Sequence, residues 1–492
     1  MSDALPGLPE RTEQTELLVD AEIYYASFCR AALRARRNIY LIGWQFDSLA
    51  QLLRVDTPKS HPTEFLPFLE YLCRRAPELE IFILAWDYSI FYALEREWLQ
   101  RLRFEFQSHP RVHFEFSSHP SMGGCLHQKF VIVDDAVAFV GGLDVCDARW
   151  DTRAHIVLDP RRTDAHGRPY KAFHDLQVAL RGPVVATLAG FFRESWQRAR
   201  GEELSARGSE FTSATPSPDP FELSDLSQGR GLPLRATRLA LSRTDITEHA
   251  SPGLFEVQAL FERAIWMAER LIYIETQYFT SRAVAEALCR RFADTSRQKL
   301  AVVLVMPDGA DTPKEDLVLG DAQRAIRRLV ADMAAQHGHE FHLLRSSPEE
   351  TPGRVPSTFI HSKLLIVDDE LLSIGSANLT NRSMSVDTEL NVTCATSLES
   401  PGGAAQLRED IRAIRAGLLA EHAGSADPQH FAPLERLSER LDAACADPLV
   451  KLWRQPLPEP EGGRELLTAI FDPSTPLDWE NIDETLAGAL RL

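Results

Sequence analysis

The segment from His127 to Val145, HQKFVIVDDAVAFVGGLDV, recurs as HSKLLIVDDELLSIGSANL from His361 to Leu379. A chain that carries one pattern twice has to build two similar units, and the pattern itself says what kind. In each copy a His and a Lys stand two apart at the start of an apolar run, and on a strand that spacing points both side chains to one face. Imidazole and ammonium become neighbours. The runs that follow, Phe130 to Val133 and Leu364 to Val367, are apolar on both faces, as a central strand between layers of helix must be. Asp134 and Asp368 close the runs. Small residues follow at Gly141-Gly142 and Gly375-Ser376, where backbone can come close to a bulky anion.

The likeness extends beyond this pair. Asn38 to Ser48, NIYLIGWQFDS, lines up with Leu271 to Ser281, LIYIETQYFTS, at almost the offset that separates His127 from His361. Further on, His174 to Val178 matches the tail of Asp387 to Val392, which pairs Asp175 with Glu389. Here the first half is longer, and the polar segment Asp151 to Lys171 is the expected insertion. The pattern His-x-Lys-x4-Asp, followed by Gly-Gly or Gly-Ser and then by Asp144 or Asn378, resembles the duplicated signature of the phospholipase D superfamily, and Leu271 to Ser281 resembles that family's IYIENQYF strand. The resemblance covers roughly residues 15 to 425.

It implies an α/β fold of two duplicated phospholipase D-like domains related by a pseudo-twofold, each a mostly buried mixed sheet flanked by helices. It also implies phosphodiester chemistry without a metal or other cofactor. One of His127 and His361 would attack phosphorus, giving a phosphohistidine, and the other would protonate the leaving oxygen. Family precedent gives the attack to His127. Lys129 and Lys363 would hold the phosphoryl oxygens. Asp175 and Glu389 would accept a hydrogen bond from the far ring nitrogens of the histidines. Asn378, Ser376, Gly142 and Asp144 would face substrate, with Asp144 paired to Lys129 or Arg149 so as not to repel it. The motif acids Asp134 and Asp368 sit too far along the strand from the histidines to share their chemistry and are expected to be structural. The expected reaction is hydrolysis of glycerophospholipids to phosphatidic acid and free headgroup. Phosphatidyl transfer, as in cardiolipin synthesis, is the alternative; a nuclease or a non-catalytic lipid-binding module fits less well, because both His and both Lys are retained.

Composition sets outer limits. The 492 residues exceed what one core commonly serves. A net charge of -18 argues against a protein whose main task is gripping nucleic acid. The seven Cys are scattered and never in C-x-x-C spacing, so neither a disulfide framework nor a metal site is expected. No N-terminal signal and no 18-residue apolar window is visible. The expectation is a cytoplasmic chain that visits a membrane surface to reach its phospholipid, with a complete site in one monomer.

In order along the chain, residues 1–14 read as disordered, 15–200 as the first domain, 201–235 as a linker rich in Ser, Pro and Gly, 236–425 as the second domain, and 426–492 as a Pro-rich arm with no chemistry of its own. Alternating strands and helices are expected in both domains: a helix over Glu16 to Arg36, a strand at Ile39 to Ile42, a helix from about Phe91 to Phe104, and their counterparts after Leu254. The aromatic cluster Trp86, Tyr88, Phe91 and Tyr92 reads as core rather than lipid-facing surface. The loops Ser117 to Gly124 and Arg345 to Ser357, each just before a motif histidine, are candidates for the rim of the site.

Overall fold

The computed structural model describes residues 5–54, 60–87, 103–104, 108–121, 123–204, 221–246, 253–309, 312, 315–348, 356–460, 462, 468 and 471–476. Its strands in the first half are β1 (Leu8–Arg11), β2 (Gln14–Val19), β3 (Asn38–Gly43), β4 (Glu80–Trp86), β5 (Val112–Ser117), β6 (Phe130–Val133), β7 (Val137–Gly141), β8 (Phe173–His174) and β9 (Leu176–Arg181). The second half supplies β10 (Leu232–Pro233), β11 (Arg238–Asp245), β12 (Leu254–Phe255), β13 (Leu271–Glu275), β14 (Ala301–Val305), β15 (Glu340–Ser346), β16 (Phe359–Ile360), β17 (Leu364–Val367), β18 (Leu371–Gly375), β19 (Glu389–Ala395) and β20 (Leu452–Arg454).

One sheet runs β2-β9-β7-β6-β3-β4-β5 and the other β11-β19-β18-β17-β13-β14-β15, the same order strand for strand. In both, the three strands at one end are parallel and the remaining pairings antiparallel. At the opposite edge the halves exchange strands: β1 pairs with β11, and β10 pairs with β2.

Side chains alternate along each strand between two environments. Tyr40, Ile42, Phe130 and Ile132 of the first sheet share one apolar cluster with Tyr273, Leu364, Ile366 and Ile374 of the second, and the helices Val184–Arg200 and Pro401–Ala423 contribute to it. The opposite faces carry separate clusters, one per half, covered by Asp20–Arg34 and Phe65–Arg75 on one side and by Glu256–Met267, Arg282–Ala293 and Asp321–Gln336 on the other. Both sheets are therefore buried on both faces, as the apolar runs require. The expected structural acids have a defined task. Asp134 accepts the backbone N–H groups of Arg36, Arg37 and Asn38, and Asp368 those of Glu269, Arg270 and Leu271, so each fixes the start of the neighbouring strand.

Several expectations are corrected. Residues 8–11 form a strand rather than a disordered tail, because β11 offers them an unpaired edge. The helix expected from Glu16 begins at Asp20, after β2. The described end of the linker is packed: Phe221, Leu223 and Leu226 are buried in the first-half core. Part of the arm extends the second sheet, where β20 pairs with β15. The segment 151–171 is polar as expected yet holds Asp151, His155, Asp159 and Arg162 in the interior. The helix expected at 91–104, and with it Tyr88, Phe91 and Tyr92, falls almost wholly outside the described residues. Among the described residues no helix is long and apolar enough to cross a membrane.

Candidate active site

Parallel bridges join the halves where the motifs begin. The N–H of His127 donates to the carbonyl of Thr388, next to Glu389, and the N–H of His361 donates to the carbonyl of His174, next to Asp175. Each histidine is thereby delivered to an acid of the other half. His127 Nδ1 lies 3.0 Å from both oxygens of Glu389, and His361 Nδ1 lies 2.5 Å from Asp175 Oδ2. A carboxylate on Nδ1 holds the proton there and leaves Nε2 as the reactive nitrogen. The two acids are fully buried. The ammonium groups fold back in parallel fashion, Lys129 Nζ donating to the carbonyl of His127 and Lys363 Nζ to that of His361.

Both histidines, Lys129, Asp144, Arg149 and Asn378 line one cleft of about 320 Å³. Its walls include Trp44, Trp86, Val318, Leu319, Phe359 and Phe471. Trp44 and Trp86 stack with ring centroids 5.8 Å apart. Trp86 is thus both buried, as expected, and part of the cleft. The side-chain oxygen of Asn378 is buried without a hydrogen-bond partner among the described residues, and the residue lines the cleft.

The two half-sites differ in charge. Asp144 Oδ2 lies 3.3 Å from Lys129 Nζ, and Asp144 Oδ1 accepts the N–H of Trp44, so this carboxylate is spoken for by Lys129. Arg149 lies instead over the ring of Phe173. The second half has neutral Asn378 at the matching position. There burial pushes the Lys363 ammonium down to about 7, with Lys129 adding to the effect and Asp175 opposing it. Burial, then the Lys363, Arg149 and Lys129 cations, also hold the His361 imidazole well below its ordinary range. Burial raises Asp175 against the pull of Lys363.

Two residues expected to face substrate do not line the cleft. A Cβ on Gly142 would fall 2.2 Å from Asp175 Oδ1, so this glycine clears room for the acid. Ser376 donates its hydroxyl to Glu389 and so orients it. The expected rim is also corrected: among the described residues, Gln45, Gln277, Tyr278, Thr312, Glu315 and Arg382 surround the cleft rather than residues 117–121 or 123–124. The arm has a part in it, for Phe471 lines the wall and Asp472 accepts from Asn381 Nδ2 and the N–H of Arg382. Nothing in the local sequence pattern marks residues that reach a site from 100 positions away.

A family model described as the phospholipase D-like domain of cardiolipin synthase matches residues 261–413. Phospholipase D A of Dictyostelium discoideum is 24% identical across 77% of this chain and 32% of its own length. Phospholipase D alpha 1 of Ricinus communis is 24% identical across 82% of this chain and 64% of its own. These likenesses support a place in the phospholipase D superfamily. The chain spans about a third to two thirds of the length of these relatives. Phosphatidylserine synthase of Haemophilus influenzae has the same fold, with a TM-score of 0.55 at 13% identity over 89% of this chain and 96% of that one.

Proposed function

We propose that the chain is a phospholipase D-type phosphodiesterase that hydrolyses glycerophospholipids to phosphatidic acid and a free headgroup. The observation that carries this reading is the cleft itself. Its floor offers two imidazoles, the Lys129 ammonium and the Arg149 guanidinium to a phosphodiester, with Lys363 folded back beside His361, and its wall offers Trp44, Trp86, Val318, Leu319, Phe359 and Phe471 to acyl or glycerol carbons. A neutral imidazole Nε2 attacks phosphorus while the bond to the headgroup oxygen breaks, and the other imidazole, protonated, gives that oxygen its proton. Water then attacks the phosphohistidine, losing a proton to the second imidazole, and phosphatidic acid leaves. Lys129, Lys363 and Asn378 stabilise the charge on the non-bridging oxygens at both steps.

Family precedent gives the attack to His127. One observation favours the reverse: His361 is the ring held neutral by burial and by the cations around it, and the neutral form is the nucleophile. Acid quench of a labelled turnover, followed by peptide mapping, separates the two. Label retained on the His361 peptide in His127→Ala establishes the second reading.

Phosphatidyl transfer to an alcohol remains the alternative, favoured by the match of residues 261–413 to the cardiolipin synthase domain. Incubation with mixed labelled phospholipids, with and without glycerol or ethanol, tests both. Headgroup release with phosphatidic acid supports hydrolysis, and a phosphatidyl-alcohol as main product supports transfer. Cleavage of DNA or RNA with every phospholipid left intact would overturn the lipid reading.

A further inference from the structure

Behind His361, away from the cleft, four side chains distant in sequence meet in the interior. They are Asp20 at the start of a first-half helix, His155 in the segment 151–171, His174 on β8, and Glu421 near the end of the helix Pro401–Ala423. Asp20, His155 and His174 are at most 3% exposed, and the Glu421 side chain is 3% exposed. His155 Nε2 lies 3.1 Å from Glu421 Oε1 and 3.5 Å from Asp20 Oδ2. His174 Nδ1 lies 3.0 Å from Asp20 Oδ1 and 3.1 Å from Glu421 Oε1. Four atoms bound to one tetrahedral ion at about 2.0 to 2.1 Å would stand about 3.3 Å apart. The observed separations, which reach one oxygen of Glu421 and both oxygens of Asp20, bracket that value, and one ligand atom from each of the four residues lies within 4.8 Å of the other three.

One of these contacts, His155 Nε2 with Glu421 Oε1, can be a hydrogen bond, but two further observations point to an ion. His174 Nδ1 and Asp20 Oδ2 are buried and, although charged or polar atoms of the cluster lie 3.0 to 3.5 Å away, neither makes a hydrogen bond of acceptable geometry among the described residues. Each histidine also engages a second carboxylate through its other nitrogen, His155 Nδ1 with Asp151 Oδ2 at 3.1 Å and His174 Nε2 with Glu275 Oε2 at 3.0 Å. That arrangement fixes the tautomer with the inward nitrogen unprotonated, which is how metal-binding histidines are held. The free oxygen of Glu421 is taken by Arg153. Two neutral imidazoles and two carboxylates carry a charge of minus two, and one divalent ion balances it without any proton.

We propose that Asp20, His155, His174 and Glu421 bind one divalent metal ion of the zinc class in a closed tetrahedral set of two imidazoles and two carboxylates. The ion ties the first-half helix, the segment 151–171 and β8 to a second-half helix. It fixes His174, whose carbonyl holds the backbone of His361 and whose neighbour Asp175 holds its ring. Its role is positioning, and no step at phosphorus passes through it. Ligands at 20, 155, 174 and 421 have no recognisable spacing along the chain. The inference stands whether or not the substrate is a lipid.

The test uses the full chain, free of a polyhistidine tag, purified from zinc-supplemented cells without chelator. Elemental analysis by mass spectrometry should find one zinc per chain, and X-ray absorption should show two imidazole nitrogens and two oxygens. Asp151→Asn keeps the shape but weakens the hold on His155. In competition with a chromophoric chelator it should bind zinc about 10 to 100-fold more weakly, with the circular dichroism unchanged. If that variant fails to fold, the wild-type measurements decide alone. A folded chain with substoichiometric zinc that takes up none on dialysis would overturn the proposal, as would zinc bound in a shell lacking the two histidines.

Discussion

At the scale of single residues the two lysines look interchangeable in sequence but differ in surroundings. Lys129 forms a buried ion pair with Asp144, whereas Lys363 is destabilised as an ammonium by burial and by Lys129. Removing one partner of a buried pair strands the other charge, at a cost of about 3 to 5 kcal/mol. Lys129→Met should therefore lower the melting temperature clearly more than Lys363→Met, while both abolish turnover; equal losses of stability would contradict the asymmetry. The same contrast sets a pH dependence. With a folded-state pKa of about 7, against an ordinary value of 10.5, Lys363 loses its proton in the free enzyme as pH rises through neutrality. A neutral amine holds the phosphoryl group poorly, so kcat/KM should fall above about pH 7. The value of kcat should fall less, because a bound phosphodiester anion keeps the ammonium charged. In Lys363→Arg, whose guanidinium stays protonated throughout, any residual activity should lack that alkaline limb. Retention of the limb would assign it to another group.

Elements decide how tightly these groups are held. The hairpin β6-β7 and the strand β9 bring Gly142 against Asp175, with no room for a methyl group. Gly142→Ala should push Asp175 off His361 and cost about 10²-fold in kcat, the scale of a misplacement near 1 Å, with little change in KM. Gly123→Ala is the control: its φ of 75° makes alanine strained, but nothing lies within 4 Å of the added carbon, so turnover should be nearly unchanged. An unaltered kcat in Gly142→Ala would mean that the hydrogen bond His361 donates to Asp175 does not position the ring. The strands that carry this geometry were readable because the period-two and apolar-run signals are local. Asp175 and Glu389 were readable because the repeats align. Which acid serves which histidine was not, since the crossing depends on bridges between residues 174 and 360 and between 126 and 388. Gly142 and Ser376 were misread for a related reason. Small residues beside a motif look like room for substrate, and only the fold shows that a neighbouring acid fills it. Trp44, Arg382 and Phe471 come to the cleft from separate places, and no pattern links them before the chain folds.

On the scale of the whole molecule, the duplicated sequence suggests two domains, but the apolar interior is not divided in two. One cluster takes side chains from both sheets and from the helices Val184–Arg200 and Pro401–Ala423, and the edge strands β1 and β10 are exchanged between halves. The two motif histidines, each fixed by an acid of the other half, depend on the same junction. Such a chain should unfold as one unit. Ile414 lies in the shared cluster and Leu69 in the cluster particular to the first half, both nearly inaccessible. Truncating either to alanine should cost about 2 to 5 kcal/mol. If the halves were independent, calorimetry would show two transitions, and Leu69→Ala would move only one of them. With a common interior, the wild-type chain should show a single transition that Leu69→Ala and Ile414→Ala both shift as a whole, with activity lost at the same temperature. A resolved transition left in place by Leu69→Ala would show that the second half keeps its fold alone, and that the junction holding the histidines is a contact between finished domains rather than part of their shared core.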